Sequence, residues 1–441
     1  MDLEADVIIL GAGAAGLSAA DRLMRKGLRV IVLEARDRVG GRVATVWDPT
    51  GDVPLELGAE FVHGKPPTLL RRIEKAGLTV RACNDRHALL WRGNLGESDR
   101  AFAFQKPLSQ AKPPDRSMTT WVAEEARARK WPPLVTAMAR SYVEGFYAAD
   151  PDIASTLAIA RMDRSVASMG GATPSRVMEG YDRVLHAMAA RLFAKPDTLF
   201  LNAIVDEVRW KPGQVRVRAR TRQGVLLGMF QARQAVVTLP VGVLRARPPQ
   251  PGAVRFVPRV REQERAWNQL EMGPLVKVLL RFRTAFWREQ AESARFGFFH
   301  APGAPFPTWW TLSPHRRTRH LVGWSGGPGA LALSKLDERA VLERAIQGLS
   351  RLFRRPVRHL HEQLEMWRVQ DWQREPYTRG GYAVIPTGAL DAVATLARPV
   401  GRTLFFAGEA THVGGEEGTV HGALDTGRRA ADEVLAARGP A

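Results

Sequence analysis

The sequence predicts an α/β fold with two domains, on three observations. A short apolar run, Val7–Leu10, is followed by closely spaced glycines, an amphipathic helical run at 17–26 and a second apolar run, Val30–Leu33. Short apolar runs that alternate with a helix are typical of buried parallel strands. The chain from 66 to 191 is mostly helical in pattern, with helices near 68–76, 120–129, 134–146 and 181–193, and strand patterns follow it. At 441 residues the chain is long enough for two domains.

The glycines after the first strand have the spacing G-x-G-x-x-G at Gly11, Gly13 and Gly16. In a Rossmann-type unit the first glycine permits a tight turn, the second lets a pyrophosphate approach the backbone, and the third lets helix and strand pack closely. Glu34 ends the second strand, 18 residues after Gly16, where an acid can bind ribose hydroxyls. The unit therefore predicts a dinucleotide site made by Gly11, Gly13, Ala14, Ala15, Gly16, Glu34 and Ala35.

The continuation of this segment bears on whether the dinucleotide is NAD, NADP or FAD. Residues 34–42 read E-A-R-D-R-V-G-G-R, with a glycine pair and three arginines directly after the ribose acid. This run resembles the flavin-containing amine oxidase family, which includes monoamine oxidases, polyamine oxidases and lysine-specific histone demethylases. The resemblance implies FAD as the cofactor, contacted by Arg36, Gly40, Gly41 and Arg42.

Further segments resemble other parts of that family's cofactor site. Residues 55–64 resemble the segment beneath the flavin ring, which implicates Gly58, Ala59, Glu60 and Phe61. His63 resembles a histidine near the substrate in the polyamine and spermine oxidase branch, and a loop histidine with only local hydrogen bonds is the alternative. The same resemblance implies that Val205 holds the adenine end of the cofactor and that Gly408 and Glu409 lie near the ribityl and pyrophosphate oxygens. It also implies that Thr419 and Val420, at a helix start, face the pyrimidine edge of the flavin. For Val205 the alternative is a plain hairpin residue.

Lys277 lies in an apolar, β-rich run at 272–282, in a chain with 10 lysines and 54 arginines. A lysine in such a chain is informative, because lysine loses its proton more readily than arginine when it is buried. The run resembles the family strand whose lysine is held by a water against flavin N5, where it assists amine oxidation or reoxidation of the flavin by oxygen. The alternative is a lysine whose charged end reaches solvent from a half-buried strand.

Residues 372–382 read W-Q-R-E-P-Y-T-R-G-G-Y and resemble the family run W-x-x-D-P-x-x-x-G-x-Y, with Glu375 in place of the usual aspartate. The resemblance implies that Trp372 flanks the flavin and that Tyr382 is an aromatic wall before it. Monoamine oxidases attach their flavin through a cysteine near this place, and the segment has none, so we expect non-covalent FAD. Monoamine oxidases and some plant polyamine oxidases have a second tyrosine at the position of Thr419. Threonine there resembles spermine oxidases and histone demethylases, and this resemblance implies a site for bulkier amines. The predicted catalytic set is Lys277, Tyr382, Trp372, His63 and Thr419.

The resemblance implies a discontinuous Rossmann-type FAD-binding domain at 1–70, 178–255 and 380–441, and a substrate-binding domain of helices plus a mixed β-sheet at 71–177 and 256–379. It also implies an FAD-dependent amine oxidase that transfers a hydride from a primary or secondary amine to flavin N5. Imine hydrolysis and reoxidation by O₂ to H₂O₂ would follow, with a polyamine or bulky monoamine as substrate. An L-amino acid oxidase, a desaturase- or protoporphyrinogen-oxidase-like flavoprotein and a basic nucleic-acid-binding flavoprotein remain as alternatives.

Composition bears on the partners and the location. The formal net charge of +19 would suit nucleic acid or an anionic membrane. The sequence has no block of five like charges and no nucleic-acid-binding motif, so we expect the charge to be spread over solvated faces and the partners to be a small-molecule amine and O₂. No apolar run reaches membrane-spanning length, the N-terminus leads directly into the first strand, and the single cysteine, Cys83, allows no internal disulfide. We therefore expect no membrane partner, no metal site and a cytoplasmic location, and the sequence carries no signature of an oligomeric state.

Overall fold

The computed structural model describes residues 2–51, 53–97, 99–171, 173–289, 291–315 and 318–438. The α-helices of these residues are Ala14–Met24, Pro67–Lys75, Gln105–Ser109, Met118–Arg129, Pro133–Tyr147, Thr156–Ser168, Asp182–Phe193, Val241–Leu244, Arg261–Gln269, Ala291–Ala294, Gly327–Leu333, Glu338–Phe353, Val357–Gln363, Leu390–Ala397 and Val420–Arg438. Single turns of 3₁₀ helix lie at Asp99–Phe102, Phe286–Arg288 and Glu409–Thr411.

A five-stranded parallel sheet carries the glycine-rich unit. Its strand order is Leu199–Phe200, Val30–Leu33, Val7–Leu10, Gln234–Val237 and Leu404–Phe406. Every residue of the three central strands is buried, as expected for a parallel sheet covered on both faces. The strands come from three separate parts of the chain, and the predicted α/β fold is confirmed.

Two layers cover this parallel sheet. On one face the helices Ala14–Met24 and Val420–Arg438 pack closely, since a Cβ added at Gly427 would lie 2.1 Å from the carbonyl oxygen of Ala15. On the other face lies a second five-stranded sheet, whose alternate side chains turn inward with the period of two that strands impose. Its strand order is Asp2–Glu4, Leu226–Ala232, Gln214–Arg220, Ile204–Lys211 and Arg255–Val257.

A seven-stranded mixed sheet supports the other half of the molecule. Its strand order is Leu364–Asp371, Leu275–Phe282, His320–Gly326, Thr308–Thr311, Phe298–His300, His87–Trp91 and Asn94–Glu97. The even-numbered residues of Leu275–Phe282 pack with helix Glu338–Phe353 on one face. The period of two directs the odd-numbered residues, Lys277 among them, to the opposite face.

Three small sheets join these layers. They pair Val62–His63, Pro174–Val177 and Val80–Ala82; Thr45–Trp47 and Pro54–Glu56; and Glu271–Met272 and Ala383–Val384. The first of them combines strands from both sides of the domain boundary predicted at residue 70, whereas the seven-stranded sheet takes all its strands from the two segments predicted for the substrate domain. The domain boundaries stay a prediction.

The predicted helices of the middle segment are present with ends within two residues of the prediction. The sequence pattern does not predict the helix Thr156–Ser168 or the short strands His87–Trp91 and Asn94–Glu97. No helix of the described ranges is both long and apolar enough to cross a bilayer.

Candidate active site

The first glycine turn has one open side. Gly11 has φ +104°, and a Cβ there would lie 2.8 Å from Thr238 Oγ1. A Cβ at Gly16 would lie 1.9 Å from the carbonyl oxygen of Gly11, so both positions need glycine for backbone packing. A Cβ at Gly13 would meet nothing within 4 Å. The open side of the turn thus lies at Gly13, the residue expected to face a pyrophosphate, and helix Ala14–Met24 starts there without a side-chain cap.

Glu34 and Arg36 provide unused polar groups beside this turn. The buried Glu34 accepts the backbone N–H of Ala12 at 2.8 Å and that of Arg36 at 3.0 Å, and a carboxylate can accept further bonds. The Nε and Nη2 atoms of Arg36 are buried without a hydrogen-bond partner in the described part of the chain, although Glu375 lies 3.4 Å from Nη2. Orphaned guanidinium donors next to an acid fit the hydroxyl and phosphate oxygens of an adenosine diphosphate.

The strand that carries Val205 starts beside the same acid. The backbone N–H of Ala203 donates to the carbonyl oxygen of Glu34 at 2.8 Å. Val205 lies two residues later, 6% exposed, where the strand forms a bulge. The contact of Val205 with the adenine remains a prediction.

Glu409 joins three distant segments at the other end of this site. Its carboxylate accepts Arg42 Nη1–H at 2.7 Å and the backbone N–H groups of Ala383 and Gly418 at 3.2 and 3.0 Å. Arg42 also donates to the carbonyl oxygen of Gly381 at 2.9 Å. A small cavity of about 10 Å³ is lined by Arg42, Thr238, Gly408 and Glu409, among others. Thr238 is absent from the predicted set, since a lone threonine after a strand carries no signal of its own.

The segments around Gly58 and Trp372 approach each other closely. A Cβ at Gly58 would lie 1.8 Å from the carbonyl oxygen of Arg42 and 3.1 Å from the ring of Trp372. Trp372 is 2% exposed and donates its indole N–H to the carbonyl oxygen of Leu57 at 3.1 Å. The predicted residues Gly40 and Gly41 have positive φ and bring this loop back to the first turn, where Gly40 N–H donates to Ala12. Three segments distant in sequence therefore meet at one place.

Lys277 is fully buried and lies beside Gly58, where these segments meet. Its Nζ lies 2.5 Å from Glu60 Oε2 and 3.4 Å from the carbonyl oxygen of Gly58. The same ammonium lies 5.4 Å from the ring centre of Trp310 and 5.9 Å from that of Trp324. Burial lowers the pKa of Lys277, and the adjacent Glu60 opposes that shift. The alternative of a lysine that reaches solvent is wrong.

Glu60 holds a second cation that the sequence analysis does not single out. Its Oε1 accepts from Arg176 and from the indole N–H of Trp310, the latter at 3.0 Å. Burial acts to raise the pKa of Glu60, but the adjacent Arg176 and Lys277 outweigh it and lower that pKa, so the carboxylate is ionised. The Glu60 side chain is thus committed to protein partners, and its contact with the cofactor stays a prediction.

A second buried carboxyl, Glu56, lies close to this group. It accepts the backbone N–H of Tyr181 at 2.8 Å and the hydroxyl of Thr45 at 2.7 Å. Burial raises the pKa of Glu56 to about 8, so this carboxyl is neutral at pH 7. One carboxylate, Glu60, therefore compensates the charges of Arg176 and Lys277 directly.

Tyr382 and Thr419 lie on either side of Gly418. The hydroxyl of Tyr382 donates to the carbonyl oxygen of Phe146 at 2.6 Å, and a Cβ at Gly418 would lie 3.3 Å from the tyrosine ring. Thr419 Oγ1 accepts the backbone N–H of Gly422 at 3.0 Å, so it caps helix Val420–Arg438. The two predicted residues are brought together, and their catalytic roles remain predictions.

Aromatic side chains extend from Lys277 along the same face of the seven-stranded sheet. The ring of Phe61 lies 5.4 Å from that of Trp310, 5.8 Å from that of Phe298 and 6.1 Å from that of His63. His63 is half-buried, and burial lowers the pKa of its imidazole. His63 therefore lies near the aromatic face, while its role toward a substrate is untested.

A possible metal-binding group occurs elsewhere in the described residues. Ligand atoms of His412, Glu416 and Asp425 lie within 4.8 Å of one another. His412 Nδ1 accepts the backbone N–H groups of Gly414 and Glu416, each at 3.2 Å. The proton of the neutral ring is then on Nε2, the nitrogen that faces Glu416 at 3.5 Å, and a protonated nitrogen is no metal ligand. We assign no metal to this group.

Comparison with known proteins agrees with this geometry. Residues 14–435 match the model of the family described as flavin-containing amine oxidoreductase. Polyamine oxidase 3 of Oryza sativa subsp. japonica is 28% identical over 97% of this chain and 88% of its own length. Lysine-specific histone demethylase 2 of Homo sapiens is 26% identical over 98% of this chain, which spans 53% of that protein. The fold is similar to that of wild-type putrescine oxidase bound to putrescine, with a TM-score of 0.82, 24% identity and coverage of 99% of this chain and 100% of that one.

The family match covers nearly the whole chain, and the structure supplies the features that FAD needs: an uncapped helix start at an open glycine, a buried ribose acid and orphaned arginine donors. The chain therefore belongs to the flavin-containing amine oxidoreductase family, it is an enzyme, and its cofactor is FAD.

Proposed function

We propose that this chain oxidises a primary or secondary amine and uses O₂ as the final electron acceptor. The observation that carries the proposal is the fully buried Lys277 beside Gly58 and Trp372, at the position that resembles the family lysine. FAD, when bound, would supply the acceptor for a hydride from the carbon next to the amine nitrogen, and O₂ would then take the two electrons and two protons. The products would be H₂O₂ and an imine, which water hydrolyses.

The side chains around Lys277 fix the site before a substrate arrives. Tyr382 is held at both ends, by its hydroxyl on Phe146 and by its ring against Gly418, so it can act as a rigid wall that orients the amine. Glu60 holds the Lys277 ammonium in one place, where it could hold a water or a reacting oxygen. The start of helix Val420–Arg438 would stabilise negative charge that develops close to it.

The lining supports an amine with an elongated apolar body. The face beyond Lys277 carries the rings of Phe61, Phe298 and Trp310. Glu60 is already compensated by two cations, so it offers no free negative charge to a substrate ammonium. Thr419 leaves space that a second tyrosine would fill. A polyamine or a bulky monoamine meets these conditions, and the similarity to a polyamine oxidase and a putrescine oxidase favours the former.

Oxidation of L-amino acids finds no support at Arg176, the buried arginine nearest to Lys277. All three of its nitrogens donate to protein acceptors, which are Glu60 and the carbonyl oxygens of Ser313 at 2.8 Å and Thr311 at 3.1 Å. A substrate carboxylate would have to displace one of these bonds.

The test is an anaerobic titration of the purified holoenzyme with spermine, N-acetylspermine, benzylamine, tyramine and several L-amino acids. We expect an elongated amine to bleach the visible flavin band and H₂O₂ to form when air is admitted. Lys277→Met is the matched variant, because methionine has nearly the same length without the charge. A yellow protein that no amine bleaches would contradict the proposal and would favour a desaturase-like role.

A further inference from the structure

Three polar side chains form a hydrogen-bonded chain at the edge of the aromatic face. Asp85 Oδ1 lies 3.1 Å from His87 Nε2, and His87 Nδ1 lies 2.8 Å from His300 Nε2. The planes of the two imidazole rings are 6° apart and the ring centres are 5.1 Å apart. With 2.8 Å between the two nitrogens, the rings must lie nearly in one plane. Coplanar rings at this separation are joined edge to edge by an N–H···N bond and are not stacked face to face.

The chain of bonds determines where each proton lies. The carboxylate of Asp85 can only accept, so His87 donates its Nε2 proton to it, and His87 Nδ1 is then a bare acceptor. His300 must donate its Nε2 proton to that acceptor. His300 Nδ1 therefore carries a lone pair and no proton, so it can only accept a hydrogen bond.

This lone pair has no partner within the part of the chain that the structure describes. His300 is 1% exposed, so water does not reach the ring freely. Burial lowers the pKa of His300 to about 3, which keeps the ring neutral. A buried acceptor without a donor is costly, and such groups occur where a ligand or an ordered water completes the bond.

The position of His300 relates it to the proposed active site. His300 is in register with Thr308, Thr308 with Trp324, and Trp324 with Lys277, so the four residues form one row across the sheet. Three strand spacings of about 4.8 Å place His300 and Lys277 roughly 14 Å apart along this row.

Phe146 links His300 to the tyrosine wall. Its ring is 6.4 Å from that of His300, and its carbonyl oxygen accepts the hydroxyl of Tyr382. Phe146 is 41% exposed, and Phe102 presents its ring to His300 at 5.7 Å and 77°. Aromatic rings beside a neutral acceptor suit a cationic N–H donor, which the rings attract through their π faces.

We propose that His300 Nδ1 accepts a hydrogen bond from the far, non-reacting ammonium of an elongated di- or polyamine, with Phe102 and Phe146 beside that cation. His300 is then a specificity-determining residue, and Asp85 and His87 are positioning residues that fix its tautomer. The inference rests on the proposed function, because it extends the same substrate site to its far end.

Binding is measured by isothermal titration calorimetry on the holoenzyme reduced with dithionite under nitrogen, since a reduced flavin cannot accept a hydride. The probes are diaminooctane, octylamine and aminooctanol, which end in an ammonium, a methyl and a hydroxyl group. The variants are His300→Phe and Asp85→Ala, and the control is His186→Phe, a histidine on the exposed side of helix Asp182–Phe193.

We expect the unmodified enzyme to bind diaminooctane at least about tenfold more tightly than octylamine, because a hydrogen bond with a charged partner is stronger than one between neutral groups. His300→Phe should abolish this preference and leave octylamine binding unchanged or tighter. Asp85→Ala, at a residue that is one-third exposed, removes the acceptor that fixes the His87 tautomer and should reduce the preference in the same direction without endangering the fold. His186→Phe should retain it.

Several outcomes would overturn the inference. The first is an unmodified enzyme without a preference for diaminooctane, and the second is an aminooctanol that binds as tightly as the diamine. The third is a preference that survives His300→Phe, or that is undiminished in Asp85→Ala. If no amine bleaches the oxidised enzyme, the proposed function fails, but binding to the reduced enzyme still reports on His300. The two failures are therefore distinct.

Discussion

Glu60 is a buried carboxylate between two buried cations, and its replacement provides a quantitative test of the site. It lies 2.5 Å from Lys277 Nζ and is also paired with Arg176, and the three residues are 5%, 0% and 4% exposed. Glu60→Gln keeps the shape of the side chain but leaves both cations without a carboxylate. Removal of one partner from a buried ion pair costs about 3–5 kcal/mol, and we expect a free-energy loss in that range.

Lys277→Met should cost less, about 2 kcal/mol or below, because Glu60 then keeps Arg176 as a single counter-charge in a balanced pair. The double variant should cost at least about 1 kcal/mol less than the sum of the two single variants, since residues in contact are coupled. The matched control is Glu97→Gln, which breaks the exposed pair with Arg86 and should cost less than about 1 kcal/mol.

The assay is urea unfolding of the apoprotein at pH 7, followed by tryptophan fluorescence and circular dichroism. Coincident transitions are needed for the free energies to be compared, because a chain of this size can unfold in stages. A Glu60→Gln variant no less stable than Glu97→Gln, or a double variant equal to the sum of its parts, would refute the reasoning that one carboxylate compensates both cations.

Three further results are expected. Because the pKa of Glu56 is raised to about 8, the stability contributed by its neutral form is fully present below pH 4.5 and is lost as the pH rises to about 8. Thermal unfolding should therefore show that Glu56→Gln gains stability relative to the unmodified protein between about pH 5 and about pH 9. A difference that stays constant with pH would contradict this. Acid precipitation should release all the flavin into solution. The one cysteine, Cys83, is buried and the pKa of its thiol is raised to about 11, so the thiol is unreactive. Flavin that stays with the pellet would show a covalent bond. The rate of anaerobic flavin reduction should rise with pH toward the pKa of the substrate amine, about 10 for an aliphatic amine, because only the neutral amine reacts, and a flat profile would count against that chemistry.

The parts of the fold that could be predicted from the sequence are those with local patterns. The strand, the glycines and the helix of the first unit are consecutive, so their geometry is written in residues that lie next to each other. The strand His87–Trp91 pairs on one side with its neighbour in sequence, Asn94–Glu97, but its partner on the other side, Phe298–His300, lies more than 200 residues later in the chain. Pairing at that distance depends on the tertiary fold, and propensity alone does not predict it.

The same difference separates the parts of the site. Lys277 could be singled out because lysine is rare in this chain and lies in an apolar strand. Arg176 could not, because it is one of 54 arginines and its counter-charge, Glu60, is 116 residues away. Sequence resemblance predicts that Glu60 lies beneath the cofactor, but it could not reveal that the carboxylate pairs with two cations. Side-chain partners across the fold are visible only in the structure.

The distribution of charge between interior and surface bears on how a cationic substrate is recognised. Among the described residues, more acidic than basic side chains are buried. The eight acidic ones are Asp21, Glu34, Asp48, Glu56, Glu60, Glu207, Glu409 and Glu417, and the three basic ones are Arg176, Lys277 and Arg281. Folding therefore removes more negative than positive charge from the surface, and the exposed surface is more basic than the net charge of +19 indicates.

Such a surface repels a polyamine at long range and attracts polyanions, which keeps a nucleic-acid partner open as an alternative. At physiological ionic strength the repulsion is screened beyond about 8 Å, so it lowers the rate of encounter more than the affinity of the bound state. Selection of the substrate must then come from short-range contacts inside the site. There the near carboxylate, Glu60, is already paired with two cations, whereas His300 Nδ1 has no partner among the described residues and aromatic rings lie beside it. Because Glu60 is already paired, the substrate ammonium must be recognised by a neutral acceptor and by the faces of aromatic rings.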